Sequence, residues 1–272
     1  MIHLKSQREI DRLKASADLV GRTLAEVGKR IEPGVTTREL DEVAEAYILK
    51  HDAEPAFKGY KVGDLVFPNT LCTSVNDVVV HGIPNDEPLK EGDLVSIDCG
   101  VRLNGYYGDY AYTFAIGELS DDARALCEAT YASLYEGIGQ AVAGRRVGDI
   151  SNAVQVYCEE RGYGVVRDLV GHGIGKSLHE DPQVPNFGKK GTGRKLREGL
   201  TLCIEPMINL GTHEVVSDAD GWTVRTGDRL PSAHYEHMVV VRRGEAEVLS
   251  TFAFIEDVID APYRAVGVPG CG

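Results

Sequence analysis

Two aspartates, Asp98 and Asp109, sit in the run Leu94-Val95-Ser96-Ile97-Asp98-Cys99-Gly100-Val101-Arg102-Leu103-Asn104-Gly105-Tyr106-Tyr107-Gly108-Asp109-Tyr110 at a spacing that lets two carboxylates share one partner. Asn104-Gly105 between two β-rich stretches predicts a hairpin, because both loop residues must take positive φ. With those two as the loop, Asp98 faces Ala111, and Asp109 is its diagonal neighbour on the same face. Like charges so placed repel, and they call for a cation, a shared proton or solvent. Four further stretches carry imidazoles and carboxylates: Val80-His81-Gly82-Ile83-Pro84, Gly171-His172-Gly173-Ile174-Gly175-Lys176-Ser177-Leu178-His179, Cys203-Ile204-Glu205-Pro206 and Tyr235-Glu236-His237. Taken singly, each has a bland reading as a solvated loop carboxylate or a structural histidine. The glycine-rich run from Gly171 lacks the Gly-Lys-Ser/Thr ending of a phosphate cradle. His172 and His179 are also too far apart for a helical zinc pair.

In this order and at these separations the motifs resemble the type I methionine aminopeptidases, over nearly the whole chain. The resemblance implies Asp98, Asp109, His172, Glu205 and Glu236 as ligands of two divalent metal ions. It implies His81 and His179 as catalytic histidines outside that ligand set, with Glu205 also shuttling a proton. The methionine pocket it implies falls on Tyr60, Cys72, Leu178 and Trp222, with Phe67 adding to the wall and His81 and His179 touching substrate. The activity expected is removal of the initiator methionine when the second residue is small. The expected partners are nascent polypeptide N-termini, and the ribosome stays open as a further one. Two departures bear on the pocket: the stretch from Lys61 to Pro68 is longer than usual, and Leu178 stands where phenylalanine is common. The segment Gly188 to Gly193 and a tail over 256–272 exceed the minimal enzyme.

The chemistry of these side chains agrees. Four carboxylates and one imidazole form a hard, oxygen-rich set suited to Co, Mn, Fe(II) or Zn, unlike the thiolate cages of structural zinc. Two dications would balance four carboxylates and lower the pKa of a shared water toward neutrality. Two alternatives are weighed against this. A prolidase of the same fold shares the ligands but usually carries an extra N-terminal domain. A catalytically dead platform would have no use for clustered carboxylates that cost stability without metal.

Composition narrows the setting. The 272 residues are 43% hydrophobic, ample for a core, and the net charge of −13 argues against a nucleic-acid groove. No apolar run approaches a membrane span, and the start of the chain leads into a charged helix, so a soluble, cytoplasmic monomer is expected. The six cysteines show no CxxC spacing, and reduced thiols are the expectation.

The elements that must position the site follow from periodicity. Ser6 to Glu9 reads as a capping box, with Ile10, Leu13, Ala17, Val20, Leu24, Val27 and Ile31 as the apolar stripe of a long helix. Pro33-Gly34 ends it, and Thr36 to Glu39 opens a second helix with Leu40, Val43, Ala44 and Tyr47 inward. Residues 65–114 read mostly as β structure. A helix over 121–142, another carrying Ile150, Val154 and Tyr157, and strands over 164–252 repeat the plan. Gly34, Leu40 and Tyr47 match Gly144, Ile150 and Tyr157 at one constant offset, which suggests a duplication. The fold class expected is α+β, the pita-bread fold that the resemblance implies. Two pseudo-symmetric α/β halves, about 6–118 and 119–252, would surround a central antiparallel sheet in one catalytic domain over 1–255.

Overall fold

The computed structural model describes residues 2–259. Helix α1 (Gln7–Gly28) starts where the backbone N–H of Ser6 donates to Glu9 Oε2 at 2.9 Å, and α2 (Thr37–Lys50) starts where Thr36 N–H donates to Glu39 Oε2 at 2.8 Å. Each cap satisfies N–H groups that the first helical turn leaves without partners. Ile10, Leu13, Ala17, Val20, Leu24 and Val27 of α1, and Leu40, Ala44 and Ile48 of α2, are fully buried. Both helices cover a sheet. Its strands are β1 (Glu54–Pro55), β4 (Leu71–Val75), β6 (Leu94–Leu103) and β7 (Tyr106–Ala115), with the small hairpin β2 (Lys61–Val62) and β3 (Leu65–Val66) and the strand β5 (Val78–Val80) beside it. The β6–β7 turn has Asn104 at φ 52° and Gly105 at φ 81°, the two positive values that a two-residue hairpin loop demands.

The second half begins with α3 (Asp121–Ile138) and α4 (Val147–Glu159). The expected helix to residue 142 is too long. After Ile138 the chain leaves the helix at Gly139, and Ala143 N–H instead donates to the Arg242 carbonyl, so a single β-bridge replaces helical bonding there. The strands that follow are β8 (Gly164–Val165), β9 (Val170–Gly173), β10 (Glu180–Pro185), β11 (Thr201–Ile204), β12 (Met207–Asn209), β13 (Val215–Ser217), β14 (Val224–Thr226), β15 (Ser232–His234), β16 (His237–Val240) and β17 (Glu247–Val248). The main sheet of this half runs β10-β9-β11-β16-β17.

The two glycines matched in the sequence share a backbone arrangement. Gly34 and Gly144 both take φ 101°, and each donates to a distant leucine carbonyl, Leu89 and Leu196 respectively, whose own N–H returns to the next residue, Val35 and Arg145. The halves join along β7. Glu236 N–H donates to the Ala111 carbonyl at 3.0 Å, and Thr113 Oγ1 both accepts from His234 N–H and donates to the His234 carbonyl. Behind this seam Tyr112, Tyr131, Tyr235 and Phe252 pack edge to face.

The segment Gly188 to Gly193 is clamped onto α4. Gly148 N–H donates to the Thr192 carbonyl, Asp149 accepts from Gly191 N–H, and Arg146 donates to the Gly193 carbonyl. Of the expected tail, Glu256 closes the short helix α5 (Ala253–Glu256) and Ile259 packs on the core, while 260–272 lie outside the described residues. The five cysteines among the described residues are buried and free, and no described helix is long and apolar enough to cross a membrane.

Candidate functional site

Register places the carboxylates. Asp98 pairs with Ala111 and Gly100 with Asp109, so the two aspartates are diagonal neighbours on one face, as the Asn-Gly turn required. On the other half His172 pairs with Cys203, which makes Glu205, two residues on, a diagonal neighbour of His172. Ile204 pairs with His237, and the next residues outward, Glu205 and Glu236, therefore stand opposite each other at the end of the β11–β16 ladder. Pro206 ends that ladder, since it has no N–H to donate.

These side chains meet in one cavity of about 690 Å³, which is lined by all twelve residues singled out from the sequence. His172 Nε2 lies 3.6 Å from Asp109 Oδ2 and 3.6 Å from Glu205 Oε1. Its Nδ1 sits 2.8 Å from the Gly173 carbonyl, which can only accept, so Nδ1 carries the hydrogen and Nε2 presents its lone pair to the carboxylates. The glycines around His172 permit close packing of β9 between its neighbours. A Cβ on Gly171 would come within 2.4 Å of the Cys203 carbonyl, and one on Gly173 within 2.3 Å of the Asp181 carbonyl. The loop bearing His179 is tied down by Glu180, whose carboxylate accepts from Lys176 N–H at 2.9 Å and pairs with the buried Lys5 ammonium at 2.6 Å.

The electrostatics ask for a cation. Burial pushes Asp98 up to about 7, and it pushes Asp109, Glu205 and Glu236 well above the carboxylate range, with their mutual repulsion adding to the rise. Asp98 Oδ1, Asp109 Oδ1 and Glu236 Oε1 are buried without a hydrogen-bond partner. Orphaned carboxylate oxygens beside an imidazole lone pair fit hard divalent ions, which supply the missing partner. Cys203 Sγ belongs to the same close group as Asp109, His172 and Glu236. Burial pushes its thiol well up, however, and it stays within reach of the Asp109 carbonyl at 3.9 Å as a protonated floor to the site.

A pH dependence follows for the metal-free protein. Burial lowers His81 to about 4 and His172, His234 and His237 to about 3, so their contribution to stability is lost as pH falls below about 6.5. The carboxylates are raised by burial and mutual repulsion, so their contribution is lost as pH rises above the ordinary carboxylate range, through about 7 for Asp98. Above pH 6.5 the histidines add no further slope while the carboxylates still do, and the melting temperature of the metal-free protein is expected to fall between pH 6.5 and 8.5. Thermal melts with and without added divalent metal check this: metal should abolish the fall, and parallel curves would contradict it.

The catalytic histidines implied by the resemblance stand over the carboxylates. His179 packs edge to face on His172 with ring centroids 4.4 Å apart, and its Nδ1 lies 2.7 Å from the Tyr60 hydroxyl. His81 sits at φ 59°, a left-handed conformation uncommon for a side-chain-bearing residue, at the end of β5. Also lining the cavity, Phe57, Phe67, Cys72 and Leu178 form a separate apolar cluster with Tyr60 and Trp222 packed against it. Phe67 meets Trp222 edge to face at 5.3 Å. Cys72 pairs with Asp98 across β4 and β6, so the apolar cluster and the carboxylates are one strand apart. Asp41, buried on α2, anchors this wall by accepting from Asn69 Nδ2 and from the N–H groups of Thr70 and Leu71.

One histidine that reads from the sequence as structural adjoins the carboxylates. His234 Nε2 lies 4.0 Å from Glu236 Oε2, buried and without a hydrogen-bond partner. Its spacing of two from Glu236 in a β-rich run was the available signal, because residues i and i+2 share a strand face. His237 points the other way and bonds Ser250 Oγ at 2.7 Å and the Tyr135 hydroxyl at 3.1 Å.

Known proteins show the same arrangement of chain. The sequence profile of metallopeptidase family M24 matches residues 11–243. A methionine aminopeptidase from Clostridium perfringens is 48% identical, over 92% of this chain and 99% of its own length. The crystal structure of the methionine aminopeptidase from Rickettsia prowazekii superposes with a TM-score of 0.89 at 40% identity, covering 92% of this chain and all of that one. The prolidase from Pyrococcus horikoshii shares the fold at a TM-score of 0.74, but at 21% identity and with only 63% of its length covered. Near-complete mutual coverage on one side and a partial match of fold alone on the other separate the two activities weighed from the sequence: this pita-bread chain belongs to the methionine aminopeptidases of metallopeptidase family M24.

Proposed function

We propose that Asp98, Asp109, His172, Glu205 and Glu236 hold the two divalent ions on which removal of an N-terminal methionine depends, and that the cavity selects substrates with a small second residue. When bound, ions of this kind polarise the scissile carbonyl and supply an ionised water near neutral pH. The observation that carries the reading is the adjacency, in one cavity, of a carboxylate–imidazole cluster with orphaned oxygens and an apolar cluster of Phe57, Phe67, Cys72 and Leu178.

The chain's own residues then have separate tasks. The methionine side chain enters between Tyr60, Phe67, Cys72, Leu178 and Trp222, where a polarizable thioether meets aromatic edges. Tyr60 donates to His179 Nδ1, which leaves the hydrogen on Nε2 to stabilise the oxyanion that forms at the methionine carbonyl. His81, kept neutral by burial, bonds the scissile nitrogen as it departs. Glu205 takes a proton from the attacking water and returns it to the leaving amine. The substrates are nascent chains, and the setting is the cytoplasm, with the enzyme working as a monomer. A net charge of −13 favours a soluble protein that does not self-associate.

A peptide series tests the selectivity. Met-Gly-Ser, Met-Ala-Ser and Met-Ser-Ser should be cleaved readily, and Met-Lys-Ser, Met-Leu-Ser and Met-Phe-Ser roughly a hundredfold more slowly. A bulky second side chain beside His81 shifts the carbonyl, and a displacement near an ångström costs about that factor. Equal rates for Met-Ala-Ser and Met-Lys-Ser, or a preference for Xaa-Pro, would refute the assignment.

A further inference from the structure

The β2–β3 hairpin is the long stretch between the Tyr60 and Cys72 positions, and it carries an apolar face at the mouth of the cavity. Gly63 at φ 58° and Asp64 form its loop, and Val62 pairs directly with Leu65, so their side chains lie on the same face. Val62 lines the cavity and yet is 54% exposed. Leu65, 42% exposed, reaches toward Gly221 beside Trp222, where an added Cβ would come within 2.8 Å of its Cδ1. The stem is fixed to the methionine pocket itself: Phe67 N–H donates to the Tyr60 carbonyl and Gly59 N–H to the Phe67 carbonyl, both at 2.8 Å. An apolar pair in water, rooted on two pocket residues and continuous with the cavity, is placed to meet whatever leaves that cavity.

We propose that the Val62–Leu65 face is a substrate subsite that takes an apolar side chain from the third or fourth position of the polypeptide, whichever the extended chain turns toward the hairpin. This rests on the reading that the cavity binds the N-terminal methionine. With the first side chain held among Phe67, Cys72 and Leu178, the rest of the chain can only run outward through the mouth. An extended chain advances about 3.3 Å per residue, so its third and fourth residues stand roughly 7–10 Å beyond the first. Covering the hairpin removes exposed valine and leucine surface from water, which strengthens binding without touching the reacting atoms, and the effect therefore falls on KM.

The test compares Met-Ala-Leu-Leu with Met-Ala-Ser-Ser, using the metal-loaded full chain. The parent enzyme should favour the leucine peptide about fivefold in kcat/KM, through KM at equal kcat. In the double variant Val62→Ser/Leu65→Ser that ratio should fall to about one. Val66→Ser, on the opposite face of the hairpin, should keep it. A parent ratio near one, or a preference that survives the double variant, would overturn the subsite while leaving methionine removal intact. Failure of the parent to cleave either peptide would overturn the underlying reading as well.

Discussion

Asp109→Asn and Asp98→Asn are each expected to leave the purified protein with little bound metal and less than about a hundredth of the parent activity on Met-Ala-Ser. Loss of a group that merely orients a metal ligand costs 10–100-fold, and loss of a charged ligand costs at least as much. Asparagine keeps the shape of the side chain and removes the charge that the ions neutralise. The same substitution should have the opposite effect on the metal-free protein. Asp109 is buried among Asp98, Glu205 and Glu236, and removing one of four carboxylates relieves repulsion that burial magnifies. The variants should therefore melt at a higher temperature than the parent when both are stripped of metal at pH 8. Metal analysis together with thermal melts checks both halves. Full occupancy with full activity in either variant would contradict the ligand assignment.

His179→Ala and His81→Ala should behave differently, keeping their metal while losing turnover by about two to three orders of magnitude. That is the scale of a lost oxyanion donor or acid–base partner. Neither ring is among the carboxylates and the His172 nitrogen that cluster at the centre, so their removal leaves the ligand set whole. The loss at His179 should appear in kcat with little change in KM, because the oxyanion exists only after attack. Tyr60→Phe should reproduce a smaller part of it, since the ring remains and only the hydroxyl bonded to Nδ1 is gone. Loss of metal from either histidine variant would show that a ligand had been mistaken for a catalytic group.

What was legible in the sequence was largely local. The Asn104-Gly105 turn gave the Asp98–Asp109 face directly, because a two-residue loop leaves one register open, and the two capping boxes gave the starts of α1 and α2. The convergence of His172, Glu205 and Glu236 on that face was not local. It depends on the pairings of β9 with β11 and of β11 with β16, and on the seam between β7 and the 234–236 segment, none of which has a turn to set it. Only the resemblance to a family carried that information forward. The end of α3 is not legible because the apolar period continues to Val142, which bridges to Arg242. His234 was passed over because a lone histidine is usually structural, although its strand spacing from Glu236 held the clue.

The central claim is that the cluster around His172 holds the ions on which methionine removal depends. Stepwise addition of Co(II) or Mn(II) to the stripped protein, followed by the initial rate on Met-Ala-Ser, tests it most directly. The expected result is negligible cleavage without metal and a rate that saturates as the cluster fills, with no saturation in Asp109→Asn over the same range. Undiminished cleavage by protein shown to be free of metal, or an Asp109→Asn titration indistinguishable from the parent's, would contradict it.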